Sequence, residues 1–282
     1  MYETHFGLRE APFSLTPNTH FYLDASTHRN AFETVRAALE SMEGFIKVVG
    51  EVGTGKTLLC RRLLNFLNGD YVSAYIPNPR LSPQDLYLAL ADELQVNLGE
   101  LNGGRHQLLK LINEQLIAHC AEGRRVVLVI DEAQAMPEQT IEALRLLTNL
   151  ETESRKLLQV VLFGQPELDV MLSQPQLRQL KQRITFQEYI RPLDKYSVEQ
   201  YIRHRLMAAG YNGDNLFRAD AAKLIFRASG GVPRLVNVLA HKAMLAAYGD
   251  GDKTVAPGHV RRAVKDTESA RPLRFAWLGG WA

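Results

Sequence analysis

The sequence predicts an α/β protein: a parallel sheet flanked by helices, followed by a small all-helical domain. Two observations carry this expectation. Between residues 45 and 190, short apolar runs rich in β-branched residues alternate with stretches of helical spacing, the pattern of parallel strands joined by helical crossovers and covered on both faces. After Arg191-Pro192 the strand-like runs stop and only helical patterns continue. The 282 residues suffice for one large domain or two modest ones. The expected organisation is an α/β domain over residues 1–191, including the N-terminal segment, a helical domain over 192–268 and a tail over 269–282.

Phe45-Ile46-Lys47-Val48-Val49 forms the first strand, ended by a Gly-rich turn. Residues 57–67 have helical spacing, and residues 71–76 form a second strand closed by Pro77-Asn78-Pro79. Ser82-Pro83 supplies an N-cap with proline at the first helical position. A helix follows over about 105–122, then a buried strand at 125–130, then a helix from Pro137 to about Leu150. Residues 157–163 and 184–190 complete the strands. Beyond Pro192, residues 194–209, 218–228, 233–247 and 257–265 are all helical in pattern.

Thirty-three Lys+Arg against 31 Asp+Glu leave a net charge of +2, less basic excess than a protein living on non-specific phosphate contacts carries. Two cysteines exclude a disulfide scaffold and point to a reduced, cytoplasmic setting. Cys60 and Cys120 both fall in helical patterns, as reduced thiols. No apolar run approaches the roughly 20 residues of a membrane span, and Met1-Tyr2-Glu3-Thr4-His5 lacks the regions of a signal peptide. The eight histidines show no metal-ligand spacing, so no zinc site is expected.

Gly50-Glu51-Val52-Gly53-Thr54-Gly55-Lys56-Thr57 matches G-x-x-x-x-G-K-[ST] in full. Glycines let such a loop wrap so that successive N–H groups face phosphates, and the following helix adds its positive end. Lys56 is expected on the β- and γ-phosphates of ATP, and Thr57 on Mg²⁺. Val126-Val127-Leu128-Val129-Ile130-Asp131-Glu132 places two acids at the end of a buried strand. Asp131 is assigned to the metal shell and Glu132 to water activation, a general-base role that favours an ATP hydrolase over a small-molecule kinase. Gln165 leaves the end of the next buried run, either towards the γ-phosphate and attacking water or as an ordinary turn residue. Ser229-Gly230-Gly231-Val232-Pro233-Arg234 breaks one helix and begins another. Arg234 is therefore read as a phosphate contact at a helix start or as a buried structural arginine.

Through residues 50–57, Asp131-Glu132, Gln165 and Gly231-Val232-Pro233-Arg234, the chain resembles AAA+ ATPases; these look like Walker A, Walker B, sensor 1 and sensor 2. It is closer still to ExeA/GspA-like secretion ATPases. His5-Phe6-Gly7-Leu8, Pro12-Phe13, Thr16-Pro17, Phe21-Tyr22 and His28 look like that family's opening signature. Asp131-Glu132-Ala133-Gln134, Leu162-Phe163-Gly164-Gln165-Pro166-Glu167-Leu168 and Leu177-Arg178-Gln179-Leu180-Lys181-Gln182-Arg183-Ile184 resemble its internal ones. The resemblance covers about residues 1–268, and the short architecture is similar to that of the mannose-sensitive haemagglutinin (MSHA) pilus biogenesis ATPases. No transmembrane helix or peptidoglycan-binding domain of the longer members follows, so direct wall binding is not expected.

The resemblance implies an oligomer, with a ring expected, and an arginine finger at Arg183 or Arg178. It implies pilus or secretion assembly proteins as partners, at the inner membrane through those partners; the near-neutral charge leaves no direct nucleic-acid contact expected. It also brings Phe13, Phe21 and Tyr22 towards an adenine pocket, with core packing as the alternative for each. Arg261-Arg262 could touch DNA or simply be solvated. Arg274-Phe275-Ala276-Trp277 and Trp281 suit a loose terminus, or docking on a partner or membrane. The expected function is an ATP hydrolase driving assembly of a type IV-like (MSHA) pilus or type II-like secretion apparatus. The alternative is an ATP-dependent DNA-binding or transposition helper, disfavoured by the near-neutral charge and the lack of an evident helix-turn-helix extension.

Overall fold

The computed structural model describes residues 2–16, 18–23, 26–100, 104–150 and 156–273. In chain order the elements begin with α1 (Glu3–Phe6), α2 (Ser26–Glu40), β1 (Phe45–Gly50), α3 (Lys56–Phe66), β2 (Tyr71–Ile76) and α4 (Pro83–Glu93). They continue with α5 (Gly104–Ala121), β3 (Arg125–Ile130), α6 (Glu138–Leu147), β4 (Leu158–Gly164), α7 (Glu167–Leu172), α8 (Arg178–Lys181) and β5 (Ile184–Ile190). The last elements among the described residues are α9 (Lys195–Ala208), α10 (Ala219–Ser229), α11 (Pro233–Gly249) and α12 (Pro257–Lys265). By contacts the chain divides into two units: Ser26–Val52 with Lys56–Arg191, and Met1–Ala25 with Gly53–Gly55 and Pro192–Ala282. Among the described residues, no helix is long and apolar enough to cross a membrane.

The first unit is the α/β one. Its sheet has the order β2-β3-β4-β1-β5, with every neighbouring pair parallel. The near-continuous apolar character of β1, β3 and β4 follows from burial on both faces. Phe45 and Val49 of β1, with Leu128 of β3 and Val160 of β4, pack against Leu86 and Leu90 of α4 and Ile112 of α5. Ile46, Val48, Val129 and Val161 point the other way, against Val35 and Leu39 of α2 and Leu59 and Leu63 of α3. The strand period of two thus feeds two cores from one run of residues. At the sheet margin, the Glu93 carboxylate accepts the Tyr75 N–H of β2 at 2.8 Å, occupying a donor on an exposed strand edge.

The second unit is helical. Val198, Ile202 and Leu206 of α9, Ile225 of α10, Leu239 and Met244 of α11 and Val260 of α12 form its core. The N-terminal segment, expected with the α/β domain, belongs here instead. Tyr2, Phe6, Phe13 and Phe21 bury their rings in this core, and the Arg9 N–H donates to Ala209 O at 2.8 Å. The Phe13 ring meets Phe217 edge-on with centroids 5.8 Å apart. Aromatic burial of this kind outweighs proximity along the chain. Residues 270–273, expected in the tail, pack with the helical unit: the Arg271 N–H donates to Ala228 O at 2.8 Å, and Ala270 and Leu273 lie against its core. Arg274, Phe275, Ala276, Trp277 and Trp281 lie outside the described residues, as does Pro17.

The break between α10 and α11 has a steric reason. Gly231 has φ +78°, and a Cβ there would lie 1.9 Å from Leu193 O. The Leu193 N–H donates to Gly231 O at 2.9 Å, so only glycine fits this close backbone approach. Pro233 then occupies the first turn of α11, where its missing N–H costs nothing.

Candidate active site

In a parallel sheet, side chains that act on a ligand gather at the carboxyl ends of the strands. Here β1 ends at Gly50, β3 runs into Asp131 and β4 into Gln165. Lys56 is the first residue of α3 and is 5% exposed. Its ammonium donates to Gly50 O at 2.7 Å and Glu51 O at 3.0 Å. Burial pulls its pKa down, opposed by the charges of Glu132 and Asp131. A buried ammonium that donates to neutral carbonyls is poised to donate instead to phosphate oxygens.

Asp131 is 3% exposed. Burial pushes its carboxyl up, while hydrogen bonds from the Thr57 hydroxyl and the Glu132 N–H oppose the shift. A hydroxyl and a carboxylate in contact form the hard-oxygen pair that suits Mg²⁺, so the side chains present fit the expected ion. Glu132 has φ +51°, a left-handed turn uncommon for a residue with a side chain. It separates the directions of the two acids: Asp131 meets Thr57, whereas Glu132 Oε2 accepts from Gln165 Nε2 at 2.9 Å and from Gln134 Nε2 at 2.6 Å. Burial alone raises the Glu132 carboxyl, but those two amides and the Lys56 charge outweigh it and hold the pKa low.

Lys56, Thr57, Asp131, Glu132 and Gln165 are thus gathered together. Arg183 is placed elsewhere on the α/β unit: it follows α8, is half-buried and donates to Asn149 Oδ1. Arg178 begins α8 and is exposed. In the helical unit, Arg234 is exposed in the first turn of α11, not a buried structural arginine. Its N–H donates to Gly53 O at 3.1 Å, and a Cβ on Gly53 would lie 2.7 Å from Arg234 Cβ. Phe13 and Phe21 pack in the helical core. Gln134 stands two residues after Glu132, but its partner Gln165 follows another strand, and local sequence pattern carries no sign of that pairing.

A family model described as an AAA domain matches residues 39–172. General secretion pathway protein A of Aeromonas hydrophila is 42% identical over 280 residues, covering 99% of this chain and 51% of that protein. The chain therefore spans about half the length of that curated relative. Among solved structures, the ORC2 protein of Aeropyrum pernix, in ADPNP–ADP complexes, is similar with TM-score 0.65 at 15% identity, covering 92% of this chain and 73% of that one. Cdc6p of Pyrobaculum aerophilum gives 0.66 at 19% identity, over 88% and 70% of the two chains. The RuvB branch migration motor of Thermotoga maritima gives 0.54 at 17%, over 87% and 70%. At these identities the likeness establishes the fold, that of P-loop AAA+ proteins, and nothing about what is acted upon.

Proposed function

We propose that the protein is an AAA+ ATPase that hydrolyses ATP to ADP and phosphate and uses the cycle to drive assembly of a secretion or pilus apparatus. The observation that carries the ATPase reading is the meeting of Lys56, Thr57, Asp131, Glu132 and Gln165 at the ends of β1, β3 and β4. Identity with General secretion pathway protein A supports a type II-like secretion partner. The finer alternative, an MshM-like role in MSHA pilus biogenesis, rests on sequence resemblance.

In this reading the loop over residues 50–57 wraps the phosphates and the Lys56 ammonium leaves its two carbonyls for the β- and γ-oxygens. Thr57 and Asp131 hold Mg²⁺, which when bound neutralises phosphate charge. Glu132 takes a proton from the attacking water, and Gln165 orients that water beside it. Arg234 adds a phosphate contact from its helix start. Arg183, or Arg178 in its place, reaches the γ-phosphate of a neighbouring protomer, so the working form is an oligomer, a ring in the simplest case. The protein works in the cytoplasm, at the inner membrane through its partners, and makes no direct contact with nucleic acid.

Magnesium-dependent phosphate release by the purified protein tests the enzymatic part. Lys56→Ala removes a charge-assisted contact and is expected to weaken binding of a fluorescent ATP analogue roughly 100-fold, with release falling to background. Unchanged affinity in that variant contradicts the site. Complementation of a deletion strain by wild type but not Lys56→Ala, scored as secretion or surface pili, tests the cellular part.

A further inference from the structure

We infer that Gln134 is a positioning residue for hydrolysis, fixing Glu132 and Gln165 against each other; this rests on the ATPase reading above. Three hydrogen bonds close a loop through these side chains. Gln134 Nε2 donates to Glu132 Oε2 at 2.6 Å, the Gln165 N–H donates to Gln134 Oε1 at 3.0 Å, and Gln165 Nε2 donates back to Glu132 Oε2 at 2.9 Å. Gln134 makes two of the three.

The orientation of its amide follows from its partners. A backbone N–H can only donate, so the atom facing Gln165 N is the carbonyl oxygen, and the ionised carboxylate can only accept, so the amine faces Glu132. Both ends are used, with no frustrated alternative. The two groups that Gln134 joins come from different strands: Glu132 follows β3 and Gln165 follows β4. Each has a long side chain with several rotatable bonds, and a base must lie within hydrogen-bond reach of the proton it takes. Gln134 stands in a short 3-10 turn (Ala133–Ala135), anchored by the Ala135 N–H on Glu132 O at 2.8 Å. Because both amide donors meet on Oε2, Oε1 is the carboxylate oxygen offered to water.

Two substitutions separate positioning of the base from simple bracing of the end of β4. Gln134→Met keeps length and volume and loses both hydrogen bonds. Gln134→Glu keeps an acceptor for the Gln165 N–H but offers Glu132 no donor and sets a second carboxylate beside it. Steady-state phosphate release is measured for each, with affinity for a fluorescent ATP analogue and the melting temperature alongside. The expected result is a kcat lower by about 10-fold or more in both variants, part of the roughly 10²–10⁴ that a positioned base supplies. KM and analogue affinity should stay within about twofold of wild type, since the phosphate contacts are untouched. A wild-type kcat in Gln134→Met overturns the inference, and so does rescue in Gln134→Glu, which would reduce Gln134 to a brace for the backbone. If Gln134→Met fails to fold, Gln134→Glu alone decides between these outcomes. Wild-type protein that releases no phosphate would instead refute the ATPase reading.

Discussion

Both units bury polar groups, and they do so differently. In the helical unit the buried Arg205 and His259 side chains meet partners within the same unit. Arg205 donates to the Tyr201 hydroxyl at 2.8 Å and lies over the Phe21 ring, 4.7 Å from its centroid. His259 Nδ1 accepts the Ala256 N–H at 3.0 Å, which puts the proton on Nε2, 3.2 Å from the carboxylates of Asp250 and Asp252. The same tautomer argues against that trio as a metal site. In the α/β unit, by contrast, a buried ammonium and a buried carboxylate have their charged forms disfavoured by burial itself. A phosphate chain with its cation would relieve both. Burial of polar groups alone therefore does not mark a site; convergence of opposite, under-compensated charges at strand ends does.

The largest effect expected from that contrast concerns an arginine outside the convergence. A trans finger supplies roughly 10³ to 10⁵ in rate. Arg183→Ala is therefore expected to bind the ATP analogue normally and hydrolyse ATP poorly. Mixed with Glu132→Gln protein, whose Arg183 is intact, it should partly recover, because some of its sites then face a normal arginine. Specific activity independent of protein concentration, with no recovery on mixing, would mean that Arg183 acts within its own subunit or not at all.

A smaller effect is expected within the α/β unit. Lys47, in the middle of β1, is 6% exposed and pairs with Asp169 of α7, whose other oxygen accepts the Tyr189 hydroxyl at 3.0 Å. This buried cation has its own carboxylate and is expected to serve stability rather than chemistry. Asp169→Ala strands the ammonium, and urea unfolding should show a loss of about 2 kcal/mol, below the usual range for a fully buried pair because Asp169 is partly exposed. Phosphate release per folded molecule should hold. A fall in kcat with stability unchanged would draw this pair into the site and break the distinction.

The parts of this arrangement that were legible in the sequence are those set by local pattern. The five strands and the breaks at Pro77, Pro192 and Gly230-Gly231 follow from periodicity and turn chemistry, and the phosphate loop and the Asp131-Glu132 pair from residue type at fixed spacing. What escaped was set by contacts distant along the chain. The aromatic residues of the N-terminal segment announce burial but not which core receives them, and Phe13 against Phe217 is a pairing across about 200 residues. The proposed role of Gln134 needed β3 and β4 to be neighbours, since its two partners follow separate strands.

Glu132 is proposed to activate water at a site where Lys56, Thr57 and Asp131 hold the nucleotide and its cation. Glu132→Gln tests it most directly, because the amide keeps the size and loses only the base. Purified variant is incubated with ATP and magnesium, and the bound nucleotide is separated and identified beside the rate of phosphate release. ATP should stay on the protein with affinity near wild type, and kcat should fall by roughly 10²–10⁴. Turnover at the wild-type rate, with ADP as the bound species, would show that another residue activates the water and would contradict the assignment.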